Sequence, residues 1–290
     1  MIATGSIEDL RASLDAERKY SKRVGFVPTM GYLHDGHVSL IERAKRDNDV
    51  VVVSIFVNPL QFGPSDDFDR YPTDPERDHA ICEKAGVDIL FSPSVEQMYP
   101  GGAISTSVDP GPIANLSEGY YRPGHFAGVA TVCVKLFSAV GPCRVYMGKK
   151  DYQQVVVLRQ VTSDLSLPVE IVACETVREP DGLAMSSRNK YLSAEERRAA
   201  AVIHRALVAG AEAYASGEVD PGVIKRVVSS VIGQDASVTI QYVDVAGGND
   251  LMPPVVISGK TVVSVAAFIG HTRLIDNIEL ENQVGTGQPA

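Results

Sequence analysis

The sequence places two histidines three residues apart, His34 and His37, with Gly36 between them, after a short apolar run and before an amphipathic stretch. At a helix start, residues spaced i and i+3 share one face. They would stand beside backbone N–H groups that lack intrahelical partners and beside the positive end of the helix dipole. Imidazoles there can donate hydrogen bonds to non-bridging phosphate oxygens as charge builds in a displacement at phosphorus. Gly36 would let the backbone approach a nucleotide with no Cβ in the way. The same residues also read as a solvated loop with two incidental histidines, or as half of a zinc site. For zinc, no Cys, His or acidic residue is spaced to complete the ligand set.

Three further segments carry usable chemistry. Asn58-Pro59-Leu60-Gln61-Phe62-Gly63 follows the most hydrophobic run of the chain. If that run is a parallel strand, the segment sits where open α/β sheets place ligands. Its Asn and Gln offer donors and acceptors to a polyhydroxy or carboxylate substrate; a plain turn is the alternative. In Gly148-Lys149-Lys150-Asp151-Tyr152-Gln153-Gln154, a lysine can neutralise phosphate charge and Asp151 can hold a magnesium ion. Gln154 would face the same crevice one turn later. The alternative is a charged helix start with Asp151 as N-cap. Met185-Ser186-Ser187-Arg188-Asn189 puts hydroxyls and a cation on one loop, suited to gripping triphosphate oxygens and releasing pyrophosphate, or it is an ordinary polar linker. His125, after Arg122-Pro123-Gly124, either lines the same crevice or serves structure alone. Gly259-Lys260-Thr261 imitates the end of a P-loop, but Pro254 occupies the place of the leading glycine, so it reads as a hairpin turn. His79, His204 and His271 show no partner spacing.

The elements that must position these residues follow from periodicity. Ser6 caps a helix with apolar Ile7, Leu10 and Leu14. A buried strand at 24–27 ends at Pro28, and the loop after it leads into a helix with apolar Val38, Leu40, Ile41 and Ala44. The β-branched run at 50–57 suits a parallel strand covered on both faces. A helix at 75–85, a strand at 88–91, a helix at 126–140, a strand at 144–147, a helix at 152–164 and a strand at 169–174 follow. This alternation predicts an α/β fold with an open, doubly wound parallel sheet, helices on both faces. Past Cys174 the pattern changes to a long helix at 194–215, another at 221–232, and strands at 238–245, 261–267 and 272–278. That is a smaller α+β C-terminal domain. The expected division is residues 1–177 and 178–290, and residues 285–290, rich in Gly and Pro, are expected to fray.

The totals narrow the function. A chain of 290 residues suggests about two domains. A net charge of −9 without any Lys/Arg cluster argues against long nucleic acid as partner. The charged N-terminus has no apolar core of a signal peptide, and no run approaches a membrane span of roughly 18 apolar residues. Cys82, Cys133, Cys143 and Cys174 lack C-x-x-C spacing and read as reduced thiols of a cytoplasmic protein.

Taken together, FVPTMGYLHDGH, VVVSIFVNPLQFGPSDDFDRYP, RPGHFAGVATVCVKLF, GKKDYQQ, VREPDGLAMSSRN and LIDNIEL resemble, in order, the motifs of the pantoate–β-alanine ligase (pantothenate synthetase) family of the nucleotidyltransferase superfamily. The resemblance implies a Rossmann-like first domain, a smaller C-terminal lid and a homodimer. It implies ATP-dependent condensation of pantoate with β-alanine through a pantoyl adenylate, with release of AMP and pyrophosphate. His34, His37 and Lys150 would be catalytic. ATP would be bound by Met30, His34, His37, Gly148, Lys150, Asp151, Val177, Met185, Ser186, Ser187 and Arg188, with Mg2+ near Asp151. Met30, Asn58, Gln61 and Gln154 would serve pantoate and β-alanine. Lys149 and Met147 depart from the family pattern, which expects an acidic or polar residue and an aromatic there. The rival reading is a nucleotidyltransferase that acts on a phosphorylated acceptor; it usually lacks the paired glutamines.

Overall fold

The computed structural model of the chain describes residues 1–64, 66–102 and 106–280. Residues 285–290 lie outside the described residues. Two compact units divide the chain: Met1–Val177 together with Met185–Ser187, and Arg178–Ala184 together with Arg188–Ala290.

The first unit contains β1 (Ile2–Thr4), α1 (Ile7–Arg18), β2 (Val24–Thr29), α2 (Asp35–Asp47), β3 (Val50–Ile55), α3 (Pro75–Lys84), β4 (Ile89–Phe91), α4 (Val95–Met98), α5 (Ser117–Tyr121), α6 (His125–Val140), β5 (Cys143–Gly148), α7 (Tyr152–Asp164) and β6 (Val169–Cys174). The strands form one sheet in the order β1-β4-β3-β2-β5-β6, and every pairing is parallel. The side-chain period of 2 sorts the core onto the two faces. Val24, Phe26, Val50, Val52, Val145 and Met147 pack with α1, α6 and α7. Val27, Val51, Val53 and Tyr146 pack with α2 and α3. Strands covered on both faces explain the uninterrupted β-branched runs. From β2 the chain winds outward to β3 and β4 on one side and β5 and β6 on the other. The carboxyl ends of β2 and β5 therefore mark the topological switch point, where such sheets bind ligands.

Three sequence expectations need correcting. β2 does not end at Pro28: its register with β3 continues through Pro28↔Ser54 to Thr29↔Ile55, whereas its ladder to β5 stops at Phe26↔Val145. With no ladder on the β5 side beyond Phe26, a missing N–H is tolerated, and Thr29 Oγ1 adds a 2.7 Å bond to the Ser54 carbonyl. The helix expected over 194–215 is two helices, α8 (Ala194–Ala200) and α9 (Val202–Ala215). Ala201 between them keeps helical angles, so no Gly or Pro marks the break. Gly259-Lys260 closes a long connection over residues 248–260 and is not a tight hairpin turn. β1, three residues long and largely exposed, carried no periodic signal at all.

The second unit holds α8, α9, α10 (Pro221–Ile232) and an antiparallel sheet of β7 (Val238–Gly247), β8 (Thr261–Ile269) and β9 (Thr272–Leu280) in the order β7-β8-β9. Its core joins Ile203, Leu207, Ile224 and Val228 to Val263, Val265 and Leu274. Arg178 grips the buried Asp276 of β9 with both terminal nitrogens, at 2.6 and 3.0 Å, and so ties the 178–184 segment to the sheet. No helix among the described residues is long and apolar enough to cross a membrane.

Gly128 in the first turn of α6 has one reason to be glycine: a Cβ there would stand 2.2 Å from the Leu60 carbonyl oxygen. The helix is seated directly on the Pro59–Gln61 turn. Gly128→Ala should cost about 1–3 kcal/mol of unfolding free energy through overpacking. Gly148→Ala, whose Cβ would meet nothing closer than the Lys150 nitrogen at 4.0 Å, should cost far less. Urea denaturation of the two variants measures the contrast.

Candidate active site

The loop from Met30 to His34 leaves β2 and turns through two residues with positive φ, Gly31 at 85° and Tyr32 at 52°. The turn is held from α3. Asp78, 1% exposed, accepts the Tyr32 and Leu33 amides, both at 2.7 Å. Burial raises the Asp78 pKa, and the two backbone N–H groups oppose that rise. Leu33 is fully buried, and the Arg77 guanidinium lies 5.1 Å from the Tyr32 ring centroid.

His34 is the N-cap of α2, and it forms a reciprocal pair with His37. The Gly36 amide donates to His34 Nδ1 at 3.1 Å, and the His34 amide donates to His37 Nδ1 at 3.2 Å. This is a capping box in which imidazoles replace the usual hydroxyl and carboxylate. Both Nδ1 atoms accept, so both rings are neutral and carry their proton on Nε2. The rings lie 4.1 Å apart. Burial and the nearby Lys150 cation hold the His34 pKa down to about 4. Burial, His34 and Lys150 hold that of His37 down to about 3.

Two expectations change here. The His37 and Val38 amides also bond, to the His34 carbonyl at 2.7 and 3.1 Å. The Gly36, His37 and Val38 amides are thus engaged within the protein, and the imidazole Nε2–H donors are further groups suited to meet a phosphate. Gly36, too, has a nearer reason than nucleotide approach: a Cβ would lie 2.8 Å from His34 Cε1.

The β5 loop brings the cation. Lys150 stands in the Lys149–Asp151 turn, 3.6 Å from Asp151, after Gly148 ends the strand. Asp151 is the N-cap of α7 by position, as the helix-start reading expects, but its side chain makes no capping hydrogen bond there. Lys149 does not simply point to solvent; it pairs with Glu175 at 2.6 Å. Met147 is buried in the core of the first unit. Gln154 is partly buried on the first turn of α7, whereas its neighbour Gln153 is buried and ties down the Ile113 and Leu116 carbonyls, both at 2.9 Å. Near the histidines, Met185 Cβ lies 3.8 Å from the Cβ position of Gly36, and the Met185 amide bonds to the Val177 carbonyl at 3.0 Å. Ser187 Oγ donates to the Tyr32 carbonyl at 3.3 Å. Ser186 is partly buried beside it, and Arg188 belongs to the second unit.

The β3 loop adds a carboxamide. Gln61 Nε2 donates to Met30 Sδ at 3.1 Å, and Gln61 Oε1 accepts from Asn58 Nδ2 at 3.1 Å. Asn58 is 1% exposed and committed to protein groups: its Nδ2 also reaches the Gly128 carbonyl, and its Oδ1 accepts from Tyr99 and Leu60. It holds Gln61, and in this structure its polar atoms are all bonded to protein groups. Below this loop, Arg122 donates to Asp66 at 2.8 Å and to His125 Nε2 at 3.1 Å, and His125 Nδ1 bonds to the Gln61 carbonyl at 2.8 Å. His125 is structural, with burial and Arg122 holding its pKa down to about 4.

The family model for pantoate-beta-alanine ligase matches residues 3–279. The chain belongs to the pantoate–β-alanine ligase family. A pantothenate synthetase of Sulfurihydrogenibium sp. is 52% identical over 279 residues, spanning 95% of this chain and 97% of the relative. One from Roseiflexus sp. is 53% identical over 257 residues, 89% and 92% of the two chains. The crystal structure of pantothenate synthetase from Thermus thermophilus matches with a TM-score of 0.91 at 47% identity, covering 97% of this chain and 100% of that one. The pantoate-beta-alanine ligase of Francisella tularensis, complexed with "Beta-gamma ATP and Beta-alanine", matches with a TM-score of 0.79 at 36% identity over 96% and 97% of the chains.

Within this ligase-family chain, sequence reading passed over Asp78, Tyr99, Arg122 and Arg178. Each acts on a partner at least 41 residues away, beyond the reach of any local spacing. The sole available signal was that Arg122, Arg178 and Asp276 lie within the stretches that carry the family resemblance.

Three outcomes follow for this site. Nitrogen-15 NMR of histidine-labelled protein should show His34 and His37 as neutral Nε2–H tautomers, with neither titrating between pH 8 and 5. An Nδ1–H form, or titration near 6.5, would contradict the capping geometry. Their lowered pKa values also set a sign: the unfolded chain takes up protons below about 6.5 that the folded one refuses until about 4, so stability present above 6.5 falls across that window. Asp78→Asn turns an amide NH2 toward one of two N–H donors. It should cost about 1–3 kcal/mol in denaturation and slow turnover, because the histidine loop loses a clamp.

Proposed function

We propose that this chain condenses pantoate with β-alanine at the expense of ATP, through a pantoyl adenylate, and releases AMP and pyrophosphate. The observation that carries the reading is the pair of neutral imidazoles with protons fixed on Nε2, close enough to Lys150 to feel its charge. It sits at the carboxyl ends of β2 and β5, and Met30 joins it to the Gln61 carboxamide. Membership in the ligase family, and ATP with β-alanine in the Francisella tularensis relative, support the same reaction.

In the first step, a pantoate carboxylate oxygen bonds to the α-phosphorus as the bond from that phosphorus to pyrophosphate breaks. The resulting mixed anhydride gives the acyl carbon a leaving group that a carboxylate lacks. In the second, the β-alanine amine attacks that carbon, AMP leaves and the amine sheds a proton. His34 and His37 donate to phosphate oxygens as charge builds, and Lys150 supplies the countercharge; both are preorganised and need no proton transfer. Met30, Gly148, Asp151, Val177, Met185, Ser186, Ser187 and Arg188 are assigned to ATP. Gln61 and Gln154 are assigned to pantoate, with Asn58 acting through Gln61. Residues 1–177 are taken as the binding domain and 178–290 as the smaller lid domain.

Mg2+ would travel with ATP. Among the described residues no group of three His, Cys, Asp or Glu side chains converges to hold a metal. That suits an ion bound chiefly through phosphate oxygens and water, with at most a carboxylate such as Asp151 nearby. The ion would neutralise phosphate charge. A homodimer in the cytoplasm completes the proposal. The alternative, transfer of a nucleotide to a phosphorylated acceptor, is disfavoured by the family match and by the carboxamide on the acid side.

ATP–pyrophosphate exchange tests the mechanism. Exchange should require pantoate and proceed without β-alanine. Exchange that needs β-alanine first, or is absent with pantoate, would rule out a free-standing adenylation step.

A further inference from the structure

The Gln61 carboxamide can face its substrate with either its N–H or its C=O side, and the two choices recognise different chemistry. Its direction is traceable to backbone groups that have only one sense. The Gly128 carbonyl can only accept, and Asn58 Nδ2 lies 3.2 Å from it. The Leu60 amide can only donate, and Asn58 Oδ1 lies 3.4 Å from it. Asn58 is therefore fixed with its amide nitrogen toward Gly128. Its second N–H then donates to Gln61 Oε1. That leaves Gln61 Nε2 facing the other way, with one N–H on the Met30 thioether, itself only an acceptor, and one N–H for the ligand. The weak link is Asn58 Oδ1, because 3.4 Å is a long bond for a group that is 1% exposed. The Tyr99 hydroxyl makes up the deficit at 2.6 Å.

We propose that Tyr99 is a positioning residue for recognition of the acid substrate: through Asn58 it locks the Gln61 carboxamide as a hydrogen-bond donor toward a carboxylate or hydroxyl oxygen. This rests on the reading above that Gln61 meets pantoate. Tyr99 is 4% exposed and closes α4 just past β4, with its amide bonded to the Val95 carbonyl at 2.7 Å. Burial raises its pKa, which keeps the hydroxyl protonated and a donor. Its ring packs edge-on against Phe56 at 5.9 Å, with Lys135 Nζ 5.8 Å from its centroid. Phenylalanine would keep both contacts and lose only the hydroxyl. Without it, the buried Asn58 oxygen keeps only the long Leu60 bond, so the amide is held less firmly in its place and the Gln61 carboxamide is positioned less sharply.

Steady-state kinetics of Tyr99→Phe, Gln61→Ala and the double variant, with each substrate varied in turn, tests the relay. Tyr99→Phe should raise KM for pantoate about tenfold, the worth of one buried hydrogen bond, and leave KM for ATP within about twofold. In the Gln61→Ala background the same change should alter the pantoate KM by less than about twofold, because the relay then ends on nothing. An equal rise in every KM, or an undiminished effect in that background, overturns the relay and leaves Tyr99 as packing. Gln61→Ala altering pantoate use while Tyr99→Phe does not overturns the relay alone. Gln61→Ala without effect on pantoate overturns the reading beneath it as well. Gln61→Glu gives an arm independent of Tyr99. An acceptor with negative charge in place of the donor should raise the pantoate KM more than Gln61→Ala does, and a smaller rise overturns the donor assignment.

Discussion

The carboxylate of Asp78, accepting hydrogen bonds from the Tyr32 and Leu33 amides, holds the conformation on which the histidine loop of the first unit depends. The chain leaves β2 through positive φ at Gly31 and Tyr32, which a side chain rarely adopts without outside support. Two short charge-assisted hydrogen bonds supply that support and also satisfy the buried carboxylate. A Cβ at Gly31 would lie 3.0 Å from Asp78 Oδ2, so the glycine and the clamp require one another. Only with the turn held does His34 arrive at the N-cap of α2.

From there the local electrostatics are largely decided. Two imidazoles 4.1 Å apart beside a lysine cannot all be charged at modest cost, and burial penalises the charged rings further. The capping box resolves this by using both Nδ1 atoms as acceptors of backbone protons. Neutral rings then present their Nε2 protons, and the positive charge is concentrated on Lys150. Donors fixed by backbone hydrogen bonds need little rearrangement when charge develops on a phosphate, which is the condition under which such donors are most effective.

The loop after β3 is built differently, as a layered support beneath Gln61. Gly128 lets α6 touch the Pro59–Gln61 turn, the Arg122–His125 pair holds the Gln61 carbonyl, and Asn58 holds the Gln61 side chain. Gln61 then reaches the β2 loop through Met30. The two halves of the site are thus joined within the first unit by side chains from neighbouring strand ends, which the parallel order of the sheet makes adjacent.

The alternating sheet, most element positions, and the loops after β2, β3 and β5 were legible in the sequence, because periods of 2 and 3.6 and turn residues are local signals. So were the residue types His34, His37, Gln61 and Lys150, which stand at strand ends where side chains can converge. Tertiary structure alone decided what each does. Asn58 is held by Gly128 and Tyr99, which lie far along the chain. The protonation of the histidines depended on burial and on reciprocal Nδ1 bonds, neither of which spacing encodes. Asp78 and Tyr99 gave no signal at all. A hydrogen bond 41 to 46 residues long in sequence exists only once the strands have been ordered, and that order is a property of the fold.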